Sequence, residues 1–366
     1  MPVPLFDTVT PLRPLRPELD TAIARVLDSG TYILGPEVAA FEEEFAAYCG
    51  AAHASGVANG TEAITIALRA LGVGPGDEVV VPSFTFYASA EAIPPTGARP
   101  VFCDVDPETM CVTAETVAAT LTPRTKAVIA VHLFGKVAPI AEIAALGLPV
   151  IEDAAQAAGS RSAAGRPGAL GTIATFSFFP SKNLGAFGDG GAITTSDNEL
   201  ADRVRMLRFH GSWDKVTYQH VGYNSRLDEL QAAILRVQLP HLDRWADGRR
   251  AAGRHYAAAG LGELAALPVP ADGCDPAWHL YVVRAADADA LASALAAAGH
   301  GHKAYYRTPV HRQPAMLGYA AGVELPATDE LARTHLAIPM SPVLDAAMAG
   351  EVVAALSDAP VGARPA

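Results

Sequence analysis

The chain has 366 residues, half of them apolar and 18% charged, enough for one large globular domain and a smaller one. A net charge of −12 with no basic run excludes a nucleic-acid surface, so an anionic ligand must be held locally by helix N-termini and a few Lys or Arg. Cys49, Cys103, Cys111 and Cys274 show neither CxxC nor zinc-ligand spacing and read as ordinary reduced thiols, with no metal site expected. The Pro-rich start MPVPLFDTVTPLRP lacks a signal-peptide pattern, and no apolar run reaches the ~18–20 residues that span a bilayer. The expectation is a cytoplasmic protein without a membrane or nucleic-acid partner, in which the Asn59-Gly60-Thr61 sequon is accidental.

In chain order, GTEAITIALRALGVG places Ile64, Ala67, Leu68 and Leu71 on one helical face before a glycine stop. The segments EVVVPSFT, RPVFCDV, KAVIAVHLFG, LPVIEDAA, ATFSFF and GGAITTS then read as short strands, most of them apolar throughout. Alternation of such strands with helical patterns predicts an α/β fold with a mostly parallel sheet covered on both faces. Functional residues then belong at the carboxyl ends of the strands, where Asp153, Thr85 and Phe86 fall. After Gly222 the texture changes. SRLDELQAAILRVQLPHLDRWADGRRAAGRHYAAAG reads as one long helix interrupted at Pro240, which lacks an amide proton. PAWHLYVVRA follows as a strand, DADALASALAAAG as a helix, and ATDELARTHLAIPMSP as a helix running into an extended segment. Residues 1–235 are expected to form an N-terminal segment and a large α/β domain, and 236–366 a smaller α+β domain.

The densest chemistry lies between Ile151 and Gly191, in IEDAAQAAGS and FSFFPSKNLGAFGDGGAITT. Lys182 follows an apolar strand and precedes a Gly-rich turn, where a lysine partly removed from water loses its proton more easily. A neutral lysine can form an imine with an aldehyde cofactor, and a carboxylate such as Asp153 can keep that cofactor's pyridine nitrogen protonated. This is the chemistry of pyridoxal 5'-phosphate (PLP). Asp153 can equally cap the following turn, and the two roles are compatible. Gln156 lies three residues on, within reach of the ring's phenolic oxygen. A phosphate cradle is expected at ANGTEAI, where Gly60 and Thr61 open a helix with unpaired amides, although simple capping by Asn59 or Thr61 also fits. Ser177 and Asn224 are further donors of suitable type, and Phe86, just past a strand end, can stack on a ring, although an isolated Phe more often belongs to the core.

These pieces in this order resemble the DegT-type (DegT/DnrJ/EryC/StrS) sugar-nucleotide aminotransferases, a branch of the fold type I PLP enzymes. The resemblance runs from GTYILGPEVAAFEEEFAAYCG through ANGTEAITIALRALGVGPGDEVVVPSFTF, IEDAAQAAGS, FSFFPSKNLGAFGDGGAITT and GYNSRLDELQAAIL to PVHRQP. It implies an aspartate aminotransferase-like fold with PLP as cofactor, Lys182 as the lysine that carries it and Asp153 as the partner of its nitrogen. It implies further that Gln156 meets the phenolic oxygen, Phe86 stacks, and Gly60, Thr61 and Ser177 hold the phosphate. Asn224 matches an asparagine reaching the phosphate of a neighbouring subunit, so a homodimer with shared sites follows from the resemblance. On the substrate side Lys215 and Arg249 fall at diphosphate contacts, Tyr306 and His311 at sugar contacts, and Tyr32 in the N-terminal loop.

The implied reaction moves an amino group from L-glutamate to a nucleoside-diphosphate keto-sugar, at C3 of a dTDP-3-keto-6-deoxyhexose. The deoxygenating branch of the family has histidine in place of the lysine, whereas this chain has Lys182. Amination at C4, a non-catalytic PLP-binding regulator and a keto-cyclitol substrate are the alternatives. FSFFPS and GAFGD carry Phe where relatives often have Tyr, and AYYRTPVHRQP is less typical, which places the sugar preference outside the motifs.

Overall fold

The structure, a computed structural model, describes residues 2–357. Met1 and residues 358–366, which the expected domain ranges include, lie outside the described residues. Seven strands build the main sheet: β1 (His53–Val57), β2 (Glu78–Pro82), β3 (Arg99–Cys103), β4 (Thr125–Val131), β5 (Val150–Asp153), β6 (Ile173–Ser177) and β7 (Gly191–Thr195). Their spatial order is β1-β7-β6-β5-β4-β2-β3. The pairs β3/β2, β2/β4, β4/β5 and β5/β6 are parallel, while β7 runs antiparallel to both β6 and β1. β2 and β5 are buried along their whole length, and β4 nearly so, which is why these segments read as largely apolar runs and not as alternation. The short β1 is an addition to the strands expected from the sequence; HASGV offers no more than two branched or aromatic residues to announce it.

The helix Gly60–Ala70 packs on this sheet and buries Ala63, Ile64, Thr65, Ile66, Ala67, Leu68 and Ala70. Each of its larger side chains contributes about 1.5–3 kcal/mol by leaving water. The long helical stretch after Gly222 starts only at Glu229, because Asp228 caps it by accepting the Gln231 amide at 2.8 Å. It runs to Gln238, passes through a single 3-10 turn at Leu239–His241, and resumes as Leu242–Ala258. Pro240 thus interrupts the ladder without ending the run. A second, two-stranded antiparallel sheet of β8 (Tyr281–Arg284) and β9 (His335–Ile338) follows. It is flanked by the helices Ala288–Ala297, Pro326–Thr334 and Ala346–Ser357.

The start of the chain is tied to this later unit. The Val3 carbonyl accepts the Gly301 amide at 2.8 Å, and the Leu5 carbonyl accepts that of Met340 at 3.1 Å. At the carboxyl edge of the main sheet, β1, β2, β4, β5 and β6 all end on the same side. They deliver the turns at 58–60, 83–86, 132–135, 153–156 and 177–182 to one place.

Candidate active site

A cavity of about 520 Å³ opens at that edge, and most of the residues singled out in the sequence line it: Gly60, Thr61, Phe86, Asp153, Gln156, Ser177, Lys182 and Tyr306. Lys182 comes off β6 through the turn Pro180–Gly185. Its amide donates to the Phe179 carbonyl at 2.8 Å, and the chain doubles back so tightly that a side chain on Gly185 would meet the Pro180 carbonyl oxygen at 2.5 Å. Only glycine permits that closure, which fixes where Lys182 points. Burial lowers the Lys182 ammonium from its ordinary value to about 8, with the Asp153 charge opposing the shift. Asp153, the last residue of β5, is buried. Its Oδ2 accepts from Ser89 Oγ at 2.7 Å and its Oδ1 from the Ala155 amide at 3.2 Å. One carboxylate thus caps the turn that follows while standing at the end of β5, on the cavity.

Opposite them, Asn59 caps the helix Gly60–Ala70 with its side chain on the Glu62 amide at 2.9 Å, and its carbonyl accepts the Ala63 amide at 3.1 Å. The amides of Gly60 and Thr61 face the cavity without a partner among the described residues. A Cβ on Gly60 would lie 2.7 Å from Ser177 Cβ, so the glycine lets the helix start approach the end of β6 closely. A helix N-terminus, a threonine and a serine hydroxyl around that gap make a cradle sized for a phosphate group.

The far wall comes from a distant part of the chain. Gln156 accepts the Phe134 amide at 2.7 Å through Oε1 and donates from Nε2 to the Tyr306 hydroxyl at 3.1 Å. Tyr306 lies 6.0 Å from Phe86 and 6.4 Å from Phe134, centroid to centroid. Burial raises its phenol well above the usual value. Phe86 itself is 53% exposed, an apolar ring presented at the cavity mouth. His279 lines the cavity too, with Nδ1 buried and without a hydrogen-bond partner among the described residues and the ring stacked on Phe6 at 5.7 Å. Burial first, then the Lys182 and Arg249 charges, hold this imidazole well below its ordinary value, so it stays neutral.

Neither His279 nor Ser89 was singled out from the sequence. His279 hides in the strand-like PAWHLYVVRA, and Ser89 in a short helix, Ala88–Glu91, whose ASAE composition points nowhere. The one signal for Ser89 is its position shortly after the end of β2.

Five expected site residues are placed elsewhere. Arg249, on the helix Leu242–Ala258, lines a neighbouring cavity of about 250 Å³ that shares Phe6, Ser181 and Lys182 with the large one. It donates to the Trp278 carbonyl at 3.1 Å, and burial lowers it to about 10. His311 lines neither cavity, because its groups are engaged by the end of β2. Its amide donates to Ser83 Oγ at 3.0 Å, and Ser83 Oγ in turn lies 2.6 Å from Nδ1. Asn224 is exposed and bonded to Arg226, and Lys215 lies over the Phe209 ring at 4.6 Å. Tyr32 is 47% exposed, and its carbonyl accepts the Glu229 amide at 3.0 Å.

The cavity fits PLP on its own geometry. The Gly60/Ser177 gap, a lysine driven toward its neutral form, and a carboxylate held at a strand end are the three attachments this group needs. Fold and site together define an α/β enzyme of the PLP-dependent aminotransferase class. The model of the DegT/DnrJ/EryC1/StrS aminotransferase family matches residues 15–357. Over 97% of its length the chain is 47% identical to a dTDP-3-amino-3,4,6-trideoxy-alpha-D-glucose transaminase of Streptomyces venezuelae, of which 96% is covered. It is 46% identical over 94% to a pleiotropic regulatory protein of Geobacillus stearothermophilus, of which 95% is covered. The crystal structure of S. venezuelae DesV superposes with a TM-score of 0.93 over 97% of this chain and 98% of that one. The chain belongs to the DegT/DnrJ/EryC1/StrS aminotransferase family and uses PLP.

Proposed function

We propose that this aminotransferase moves an amino group from L-glutamate to carbon 3 of a dTDP-linked 3-keto-6-deoxyhexose, as in the making of a deoxyaminosugar. The observation that carries the catalytic part is Lys182, brought to about 8 at the junction of two cavities and opposite Asp153. The sugar and the position of amination are supported by the 47% identity to the S. venezuelae transaminase. Bound PLP supplies an electron sink that stabilises negative charge beside the transferred nitrogen. Asp153 would hold the proton on the pyridine nitrogen, its two oxygens gripped by the two donors described above. Gln156 orients the ring oxygen from a side chain already fixed at Phe134 and Tyr306. Phe86, at the cavity mouth, would lie against the ring and keep water from it. The amides of Gly60 and Thr61, with Ser177, hold the phosphate. Lys182, once released as a free amine, accepts a proton at Nζ and returns it to the neighbouring carbon.

On the acceptor side, Arg249 is a buried cation with no carboxylate partner among the described residues, suited to a diphosphate or a donor carboxylate passing Lys182. Tyr306 presents its hydroxyl to the sugar, and the Ser83–His311 contact holds the segment that carries it. Tyr32, Lys215 and Asn224 serve a second copy of the chain in a homodimer. The support is the excursion at 212–221, where Trp213, Val216, Tyr218 and Val221 are 51, 79, 59 and 85% exposed, apolar side chains of the kind that a protein partner covers.

The test is direct. Purified protein should carry the visible absorbance of lysine-bound PLP, and adding glutamate should move that band to shorter wavelength. Lys182→Ala should lose the band, and its turnover should fall by at least about 10⁴-fold, the scale of removing a covalent and proton-transfer group. An active Lys182→Ala would overturn the assignment. A band unchanged by glutamate and other amino donors would favour a PLP-binding regulator instead. The position of the amine in the product, located by NMR, distinguishes C3 from C4.

A further inference from the structure

We propose that Thr85 and Ser89 form a two-hydroxyl relay that positions Asp153 toward the pyridine nitrogen of PLP. The inference rests on Asp153 being the partner of that nitrogen. β2 ends at Pro82, and the residues after it turn into the short helix Ala88–Glu91. There Ser89 Oγ lies 2.7 Å from Asp153 Oδ2 and 3.1 Å from Thr85 Oγ1. An ionised carboxylate only accepts hydrogen bonds, so Ser89 donates its single proton to Asp153. The Ser89 oxygen is then free only to accept, which makes Thr85 its donor. The direction of the chain, Thr85 to Ser89 to Asp153, follows from the donor inventory alone. The 2.7 Å contact is at the length of a bond to a charged acceptor, and a second hydroxyl behind it polarises it further.

Burial makes the relay consequential. All three border the large cavity, yet Thr85 and Ser89 are each only 1% exposed and Asp153 5%, so water reaches these contacts poorly and a missing hydroxyl is not readily replaced. The Ala155 amide, at 3.2 Å, holds the other carboxylate oxygen. The two contacts grip both ends of the group and set its plane. With the Ser89 contact removed, the carboxylate is held from one side only and can rotate away from the pyridine. The same turn also carries Phe86, whose carbonyl accepts the Ser89 amide at 3.2 Å. The residue that covers the ring face and the one that aims the carboxylate are therefore placed by one piece of backbone. The sequence separation between Ser89 and Asp153 is 64 residues, which is why no local pattern reveals the pair.

The experiment measures PLP dissociation from holoenzyme, by equilibrium dialysis followed through the visible band, in wild type, Ser89→Ala, Thr85→Val and the double variant. Loss of a hydrogen bond to a buried charge should weaken PLP by about tenfold in Ser89→Ala. Loss of the outer hydroxyl should weaken it by roughly threefold in Thr85→Val, the smaller effect of a neutral bond. Because Thr85 acts through Ser89, the double variant should match Ser89→Ala and not show the product of the two effects. Turnover should fall in Ser89→Ala while the KM for the sugar nucleotide stays at the wild-type value, since no acceptor contact is lost. Ser89→Ala holding PLP within about twofold of wild type would overturn the relay, as would multiplicative effects in the double variant. A wild-type protein without the visible band would instead overturn the site reading on which the relay rests.

Discussion

A lysine in water has a pKa near 10.4, so at pH 7 only about one molecule in several thousand carries the free amine that attacks an aldehyde. At about 8, Lys182 keeps roughly a tenth in that form, and the gain comes from burial outweighing the Asp153 charge. The sign follows directly. The neutral amine is the reactive species, so the rate at which apoenzyme captures PLP should rise with pH through about 8 and level off above it. A midpoint near 10 would tell against the buried lysine. The apoprotein should also gain stability between about 8 and the unfolded value of 10.5, because the unfolded chain binds more protons there. At this scale the sequence was informative for Lys182, Asp153 and Gln156, which fall in two adjoining motifs. It was silent for Ser89 and His279, whose roles come from neighbours 64 residues away or from a buried nitrogen facing a cavity. It was only partly informative for His311, where residue type and position were read but not the Ser83 contact that occupies its ring.

Among the elements, β5 repays a closer look because its last two residues are both acidic and do opposite things. Successive side chains leave a strand on opposite faces. Asp153 therefore faces the cavity while Glu152, fully buried, faces the other side. Glu152 Oε1 accepts the amides of Leu170 at 2.8 Å and Gly171 at 2.7 Å, and Oε2 accepts that of Gly168 at 3.1 Å and His132 Nε2 at 2.9 Å. His132 Nδ1 in turn accepts the Ala138 amide at 3.0 Å, which puts the ring proton on Nε2. One carboxylate thereby anchors both the loop before β6 and the turn after β4 that offers the Phe134 amide to Gln156. In Glu152→Gln the amide nitrogen would face at least one of these donors, at a cost of about 2–4 kcal/mol for the groups left unsatisfied. Urea denaturation of the two proteins checks this, and a loss under about 0.5 kcal/mol would tell against the network. The strands themselves were visible as apolar runs, and the break in the long helix as Pro240. β1 was missed because a short strand with small residues lacks the pattern that marks its neighbours.

For the whole molecule, the expectation that concerns assembly is the one that a single chain leaves open. If Asn224 and Lys215 complete the cavity of a second copy, Lys182→Ala and Asn224→Ala should each be impaired alone. Mixed and re-annealed, they should regain activity, approaching about a quarter of wild type, because hybrid dimers then hold one intact site and one doubly impaired site. No recovery on mixing would place each site within one chain. Among the described residues no helix is long and apolar enough to cross a membrane, and the 212–221 excursion alone exposes Trp213, Val216, Tyr218 and Val221. By itself the sequence pointed to the cofactor and the mostly parallel sheet, and it singled out Lys182 and Asp153, which the structure brings to one cavity. All of these rest on short-range signals, an apolar run followed by a turn whose residues must fall at a strand's carboxyl end. Only the tertiary structure decided the rest of the cavity. It set Tyr306 against Gln156 across 150 residues, turned Arg249 into a smaller chamber beside Lys182, and bound Ser89 to Asp153. Those contacts depend on how the later α+β segment and the turn after β2 close over the sheet edge, and long-range closure leaves no periodic trace in the chain that makes it.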